Sequence, residues 1–313
     1  MNNKELSKEL KLVESLIRKD LNKEKIIFNL YKYIFKSNGK KMRAMLNLIA
    51  SSIKKNKNRI KLAAVIELLH TATLVHDDVV DDSPTRRGIK SVNKIWSNSH
   101  GVLIGDYIYS KAFIFMVEIG NKEILKELAD ATNDISQGEL IQLEAIRNLD
   151  ITLNKLKKIS YFKTGRLFEA SAKTGAIIAN ASVKYKEDIS ECAKNLGVLF
   201  QIKDDLLDYS EGEEIGKPTF QDIKEGKVTY PFYFAYKNAN FDQKKQLKEL
   251  LKSSRKVKKN DIKLIKSLGG IAKTNKLASQ YHEKSIKYAK KIKDLKIRKE
   301  MIELANTAFN RKK

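Results

Sequence analysis

Residues Leu68 to Gly88 read LLHTATLVHDDVVDDSPTRRG, an apolar run at helical spacing that ends in four aspartates and is broken by Ser83-Pro84-Thr85. On a helix, Asp77 and Asp81 lie one turn apart on one face with Asp78 beside them, which concentrates negative charge. Like charges at that spacing repel unless a cation joins them. A hard divalent ion turns them into oxygen ligands, and magnesium in particular takes a few carboxylates plus waters and substrate phosphates. His70 lies seven residues before Asp77, about two turns away on nearly the same face, which places it for a phosphate contact. His76 has no comparable support and reads as structural.

The same spacing recurs in Asp204-Asp205-Leu206-Leu207-Asp208, behind the apolar run Leu196 to Phe200. Two such clusters on facing helices would hold a metal-bound diphosphate from both sides and neutralise the charge that develops as it leaves carbon. A diphosphate also needs fixed cations. Lys40 and Arg43 stand at the start of a predicted helix in Gly39-Lys-Lys-Met-Arg43, where amides and side chains converge on an anion. Arg86 and Arg87 follow the first aspartate cluster and offer permanently charged, bidentate donors. Beyond the second cluster, Gly216-Lys217-Pro218 and Gly226-Lys227 flank a loop that could close over a substrate and exclude water.

The surrounding chain reads as one all-α domain over residues 1–313. Of its 313 residues 42% are apolar and only three are proline, so a packed core is available and strand-and-turn architectures are disfavoured. Periodicity predicts helices at about residues 4–20, 23–36, 41–54, 58–82, 101–118, 122–147, 153–181, 185–208, 221–238, 241–252, 260–289 with a break at Gly269-Gly270, and 294–310. The net charge of +24 suits an anionic partner, but the lysines are scattered along the whole chain, so a solvated basic surface is expected and no nucleic-acid partner. Cys192 is the only cysteine, which excludes an intrachain disulfide or a thiolate cluster. The N-terminus has no apolar signal core and no apolar run reaches the length of a membrane span, so the expected location is the cytoplasm.

From Gly39 to about Pro231 these residues closely resemble the trans-isoprenyl diphosphate synthase family. Besides the GKxxR-like entry and Leu68–Gly88, the resemblance rests on GDYIYSKAF (Gly105–Phe113), QGELIQL (Gln137–Leu143), KTGRLF (Lys163–Phe168), FQIKDDLLDYSE (Phe200–Glu211) and GKPTFQDIKEGKVTYP (Gly216–Pro231). It implies the isoprenoid-synthase fold, a helical bundle around a central apolar cavity, a homodimer, and about three magnesium ions at each site. By the same resemblance Asp77, Asp78 and Asp81 hold magnesium on one side, and Asp204, Asp205 and Asp208 on the other. Lys40, Arg43, His70 and Arg87 bind isopentenyl diphosphate. Arg86, Lys163, Lys217 and Lys227 bind the allylic diphosphate, with Thr164 and Gln201 lining the nascent cation. The implied reaction is metal-assisted loss of diphosphate, attack by the isopentenyl double bond, and proton removal, with the released diphosphate as base. Two departures, Ser83-Pro84-Thr85 before the arginine pair and Lys41-Met42 after Gly-Lys, touch no ligand position.

In this family bulky residues about one turn before the first aspartates stop chain growth. Here those positions are Ala72 and Thr73, both small, so a long product of about 30 to 50 carbons is expected, of the kind used for quinone side chains, and the local wording is most similar to octaprenyl-forming members. Docking on a membrane for product release fits such a lipid. The rival readings are a shorter-chain (geranylgeranyl or farnesyl) synthase, an inactive partner subunit, a class I terpene cyclase and an HD-type phosphohydrolase. The last needs more histidines than the four present. Both intact aspartate clusters weigh against the cyclase and the inactive subunit.

Overall fold

The computed structural model describes residues 3–19, 24–36, 39–210, 220–252 and 257–311. Its residues fall into two compact units, one of residues 1–129, 170–190 and 292–300, the other of residues 130–169, 191–291 and 301–313. Nearly all described residues that form regular structure are helical, as the sequence predicts.

In the first unit α1 (Asn3–Lys19), α2 (Lys25–Ile34), α3 (Met42–Ala50), α4 (Arg59–Val80), α5 (Val92–Ile95) and α6 (Asn98–Ile119) follow one another. The start of α7 (Lys122–Glu144), the end of α9 (Arg166–Ile178) and the starts of α10 (Val183–Asp208) and α16 (Leu295–Phe309) also belong here. In α4 every residue from Leu62 to Leu69 is buried, which marks it as a helix surrounded on all sides rather than an amphipathic surface helix. Each large aliphatic side chain so buried contributes about 1.5–3 kcal/mol. Helix α6 comes close to α4 because Gly101 and Gly105 carry no side chain. A Cβ at Gly101 would stand 2.5 Å from Val79, and one at Gly105 would stand 2.3 Å from His76 Nε2. Ser97 caps the start of α6 by accepting from His100 N at 3.3 Å, and Gly120, with φ of +67°, ends it in the left-handed conformation. Helix α1 is tied down by its acidic face: Glu5, Glu9 and Glu14 pair with Lys55, Arg59 and Lys41.

The second unit holds the end of α7, α8 (Leu153–Ser160), the start of α9 (Arg166–Ile178) and most of α10 (Val183–Asp208). It continues with α11 (Gln221–Lys224), α12 (Tyr230–Asn238), α13 (Phe241–Lys252), α14 (Lys259–Ser267), α15 (Gly270–Lys291) and the end of α16 (Leu295–Phe309). Helices α12 and α15 pack where Gly270 lies against the Pro231 carbonyl, 2.3 Å from a would-be Cβ. Cys192 is buried beside Ser285, whose hydroxyl donates to its carbonyl at 3.0 Å, and burial pushes the thiol up to about 12. It is a core residue and stays protonated.

The structure differs from the periodicity reading in several places, three of which bear on the site. Residues 85–90 form a two-stranded hairpin, β1 (Thr85–Arg86) with β2 (Ile89–Lys90), too short for alternation to reveal. The predicted helix 221–238 is two helices, broken at Gly226, whose φ is +75°. The predicted helix 153–181 contains a π-helical turn, Tyr161–Gly165, between α8 and α9. No helix of the described residues is long and apolar enough to cross a membrane.

Candidate active site

In the first unit, α4 ends on the first aspartate cluster. Asp81 N donates to the Asp77 carbonyl at 2.8 Å and Ser83 N to the Asp78 carbonyl at 3.0 Å, closing the last turn. Asp82 and Arg87 adopt positive φ, +47° and +51°, a conformation uncommon for such residues and concentrated at functional loops. Asp78 is 4% exposed, whereas Asp77 and Asp81 are half-buried. Arg86 reaches back from the hairpin and donates to Asp78 Oδ1 through Nε at 2.8 Å and Nη2 at 2.5 Å. Burial raises the Asp78 carboxyl and Arg86 opposes the rise. Asn93 of α5 fixes the same turn by donating to the Asp78 carbonyl at 3.1 Å.

Arg43, in the first turn of α3, reaches the middle of α4. Arg43 Nη1 donates to His70 Nε2 at 3.0 Å, which makes that nitrogen the acceptor and leaves the proton on Nδ1. Burial holds His70 well below the ordinary imidazole value, followed by the charges of Arg43, Arg87 and Arg86, so it is neutral at pH 7. His70 therefore orients Arg43 and offers an N–H, not a charge. Arg87 lies on the Gly39 loop, where a Cβ would stand 2.5 Å from Nη2. Lys40 is exposed, and Lys41, at φ +50°, opens α3. Thr73 lies one turn before Asp77 and is half-buried, while Ala72 has no exposed surface. His76 contacts the Val102 carbonyl and Asp106, both at 3.2 Å, and is structural.

In the second unit the π-helical turn carries Lys163 and Thr164. Such turns insert one residue and re-aim side chains, frequently at functional sites. Lys163 Nζ pairs with Glu139 at 2.6 Å and donates to Gln142, both in the QGELIQL segment of α7. Gly138 allows that approach, since a Cβ there would stand 2.7 Å from Phe162 Cβ. Thr164 Oγ1 donates to Gln201 Oε1 at 2.6 Å, and Gln201 Nε2 donates to Asp205 Oδ1 at 2.9 Å. Tyr230 N donates to the other Asp205 oxygen at 3.4 Å. Burial pushes the Asp205 carboxyl up to about 7, against these donors.

Asp208 accepts from Gln221 N at 2.9 Å and Asp222 N at 3.1 Å, so it caps the start of α11. Asp204 pairs with Arg311 at 2.6 Å, and the Arg311 guanidinium lies 4.4 Å from the Phe200 ring centre. Lys227 pairs with Glu225 at 2.6 Å. Asp222 is pushed well above the carboxylate range by burial, with Asp208 and Asp205 adding to the rise. Lys217 lies outside the described residues.

Among the described residues no three histidine, cysteine or carboxylate side chains converge as a ready-made metal site. The donors at both helix ends are nonetheless oxygen only. Asp77 with Asp81 is a one-turn pair of the kind that suits magnesium, which completes its shell with water and phosphate. Sequence reasoning missed Glu67, Asn93, Glu139, Asp222 and Arg311. Of these, Glu139 and Asp222 had a signal, their places in the QGELIQL and GKPTFQDIKEGKVTYP segments.

The polyprenyl synthetase family model matches residues 24–268. Octaprenyl diphosphate synthase of Escherichia coli K12 is 33% identical over 305 residues, 96% of this chain and 94% of that protein. The crystal structure of a decaprenyl diphosphate synthase from Rhodobacter capsulatus superposes with a TM-score of 0.92 at 32% identity, covering 99% of this chain and 98% of that one. A polyprenyl synthase from Caulobacter crescentus CB15, complexed with calcium and isoprenyl diphosphate, gives 0.93 at 31% identity, covering 99% and 97%. With two aspartate-bearing helix ends, their cationic neighbours and these matches over nearly its whole length, the chain belongs to the polyprenyl synthetase family of prenyltransferases.

Proposed function

We propose that the chain acts as one catalytic domain that adds isopentenyl diphosphate repeatedly, by 1'-4 condensation, to an allylic diphosphate such as farnesyl diphosphate. The product is a long all-trans polyprenyl diphosphate for quinone side chains. The observation that carries this reading is that each unit ends a long helix on a DDxxD carboxylate set with fixed cations close by. Arg86 stands at the first set and Arg311 at the second, within a chain of this family.

Asp77, Asp78 and Asp81, with Asp204, Asp205 and Asp208, are the residues that would hold about three magnesium ions. Magnesium would neutralise charge on the departing diphosphate. Arg86, Lys163, Lys217 and Lys227 hold the allylic diphosphate. Lys40, Arg43 and Arg87, with the His70 N–H, hold the isopentenyl diphosphate. Thr164 Oγ and Gln201 Oε1 supply oxygen dipoles to the allylic cation, and no side-chain nucleophile takes part.

Thr73 shares a helical face with Asp77 and retains exposed surface, so it is the better candidate for the floor of the product channel than the fully enclosed Ala72. Leu103, Ile114 and Val117 form one exposed apolar stripe on α6, at 68%, 57% and 69% exposure, which supports self-association as a homodimer. A cytoplasmic protein of this net charge would meet an anionic membrane where a long lipid product leaves.

Incubation with farnesyl diphosphate, labelled isopentenyl diphosphate and magnesium, followed by product sizing, tests the reading. Products of about 30 to 50 carbons support it. Consumption of farnesyl diphosphate without isopentenyl incorporation, or undiminished turnover after chelation of divalent ions, overturns it.

A further inference from the structure

Glu67 is an enclosed carboxylate among the cations near the start of α3, apart from the Asp78–Arg86 and Glu14–Lys41 pairs, and the reaction outlined above gives it no task. It sits on α4 one turn before His70 and is 6% exposed. Its Oε1 accepts from Ala44 N at 3.3 Å, in the first turn of α3. That turn begins at Lys41 and carries Arg43, which reaches His70. Arg87 arrives from the hairpin onto the Gly39 loop. The charges of Arg43 and Arg87, and more weakly that of Lys41, which is itself paired with Glu14, therefore act on one enclosed carboxylate. Burial pushes the Glu67 carboxyl up, and Arg43, the Ala44 N–H, Arg87 and Lys41 pull against that rise.

A buried carboxylate inside an anion-binding cluster is costly for a ligand of the same sign. Its presence calls for a second benefit. Without an anion, cations gathered this closely repel one another and the loop that carries them is driven apart. A carboxylate hydrogen-bonded to the first turn of α3 keeps that turn against α4 and balances the cations until the diphosphate arrives, so the site is assembled in advance of binding.

We propose that Glu67 is a positioning residue that pre-assembles the Lys41, Arg43 and Arg87 cluster for the isopentenyl diphosphate. This rests on the substrate assignment above. It separates from a purely electrostatic role by sign. Were Glu67 only a nearby charge, removing it would make the site more positive and tighten anion binding.

The experiment uses the full chain and E67Q, which keeps the side-chain length and an acceptor for Ala44 N, with E67D as the charge-retaining variant. The expected result for E67Q is a KM for isopentenyl diphosphate at least tenfold higher, with kcat and the KM for the allylic diphosphate within threefold of wild type and partial recovery in E67D. A KM for isopentenyl diphosphate that is unchanged or lower overturns the proposal. Calorimetric titration with inorganic pyrophosphate in the absence of divalent metal reads the same cluster without turnover. A Kd at least tenfold weaker in E67Q supports the inference even if the chain prefers another substrate, and an equal or tighter Kd refutes it. Failure of the wild type to incorporate isopentenyl units would refute the substrate assignment alone.

Discussion

At the end of α4 the aspartate cluster is balanced by a guanidinium from a nearby hairpin. At the end of α10 the same DDxxD spacing is held by main-chain amides, a glutamine and a distant arginine. Both clusters lie at helix C-termini, where the macrodipole disfavours carboxylates by about 0.3–1 kcal/mol each. Each region offsets that cost differently. In the first, Asp78 is enclosed and paired with Arg86, while Asp77 and Asp81 keep partial exposure. In the second, Asp205 and Asp208 build structure as well, the former tied to Gln201 and Tyr230 N, the latter capping α11. A shared motif thus gives one cluster balanced by a side chain and another whose carboxylates also accept from main-chain amides at the starts of α11 and α12.

That contrast predicts different prices for substitutions in the two clusters. Asp81→Asn should lower turnover by about 10³-fold, on the scale of losing one preorganised electrostatic contact, while leaving the melting temperature unchanged or slightly higher. Steady-state kinetics and calorimetric melting together check both halves. Asp208→Ala should reduce turnover and also cost about 0.5–2 kcal/mol, because it removes the acceptor that caps the start of α11. A stability-neutral Asp208→Ala would erase the contrast.

Arg86→Ala should destabilise the first unit by about 1–3 kcal/mol, less than for a fully buried pair because Arg86 is a third exposed, and Asp78→Asn in the same chain should recover part of it. Denaturant titration of the single and double variants measures this coupling. A smaller effect is expected from Thr164→Val, which removes one hydrogen bond from the Thr164–Gln201–Asp205 chain at about 1 kcal/mol and should weaken the magnesium dependence of activity without abolishing it.

The last test uses pH. Asp205 has a folded value near 7, above its unfolded carboxylate value of 3.8, so the folded state binds the extra proton. Its contribution is fully present below about pH 4 and is lost as pH rises towards about 7. His70, depressed in the fold, acts with the opposite sign: its contribution is present above about 6.5 and lost as pH falls below that. In magnesium-free buffer Asp205→Asn should remove the decline between pH 4 and 7, and His70→Gln should remove the loss on the acid side. Unaltered pH profiles in both would show that these groups are not perturbed as their surroundings require.

The helices were legible because apolar spacing is a local signal, and α4 and α10 lie within a few residues of where the sequence places them. The aspartate clusters were legible for the same reason, since four residues on a helix always return to one face. The hairpin at 85–90 and the π-helical turn at Tyr161–Gly165 were not. Two-residue strands carry no periodicity, and one extra residue in a turn shifts a helix without altering its pattern. Glu67 reads in the sequence as another polar position on α4, and only its 6% exposure distinguishes it.

By itself the sequence determined that the chain is helical and that the first and last aspartates of each cluster share a helix face, because both follow from the 3.6-residue repeat. The tertiary structure alone decided that Asp78 faces Arg86, that Asp208 caps α11, and that Glu67 accepts from the first turn of α3. Those partners come from other elements, so burial and packing select them, and no local spacing encodes that choice.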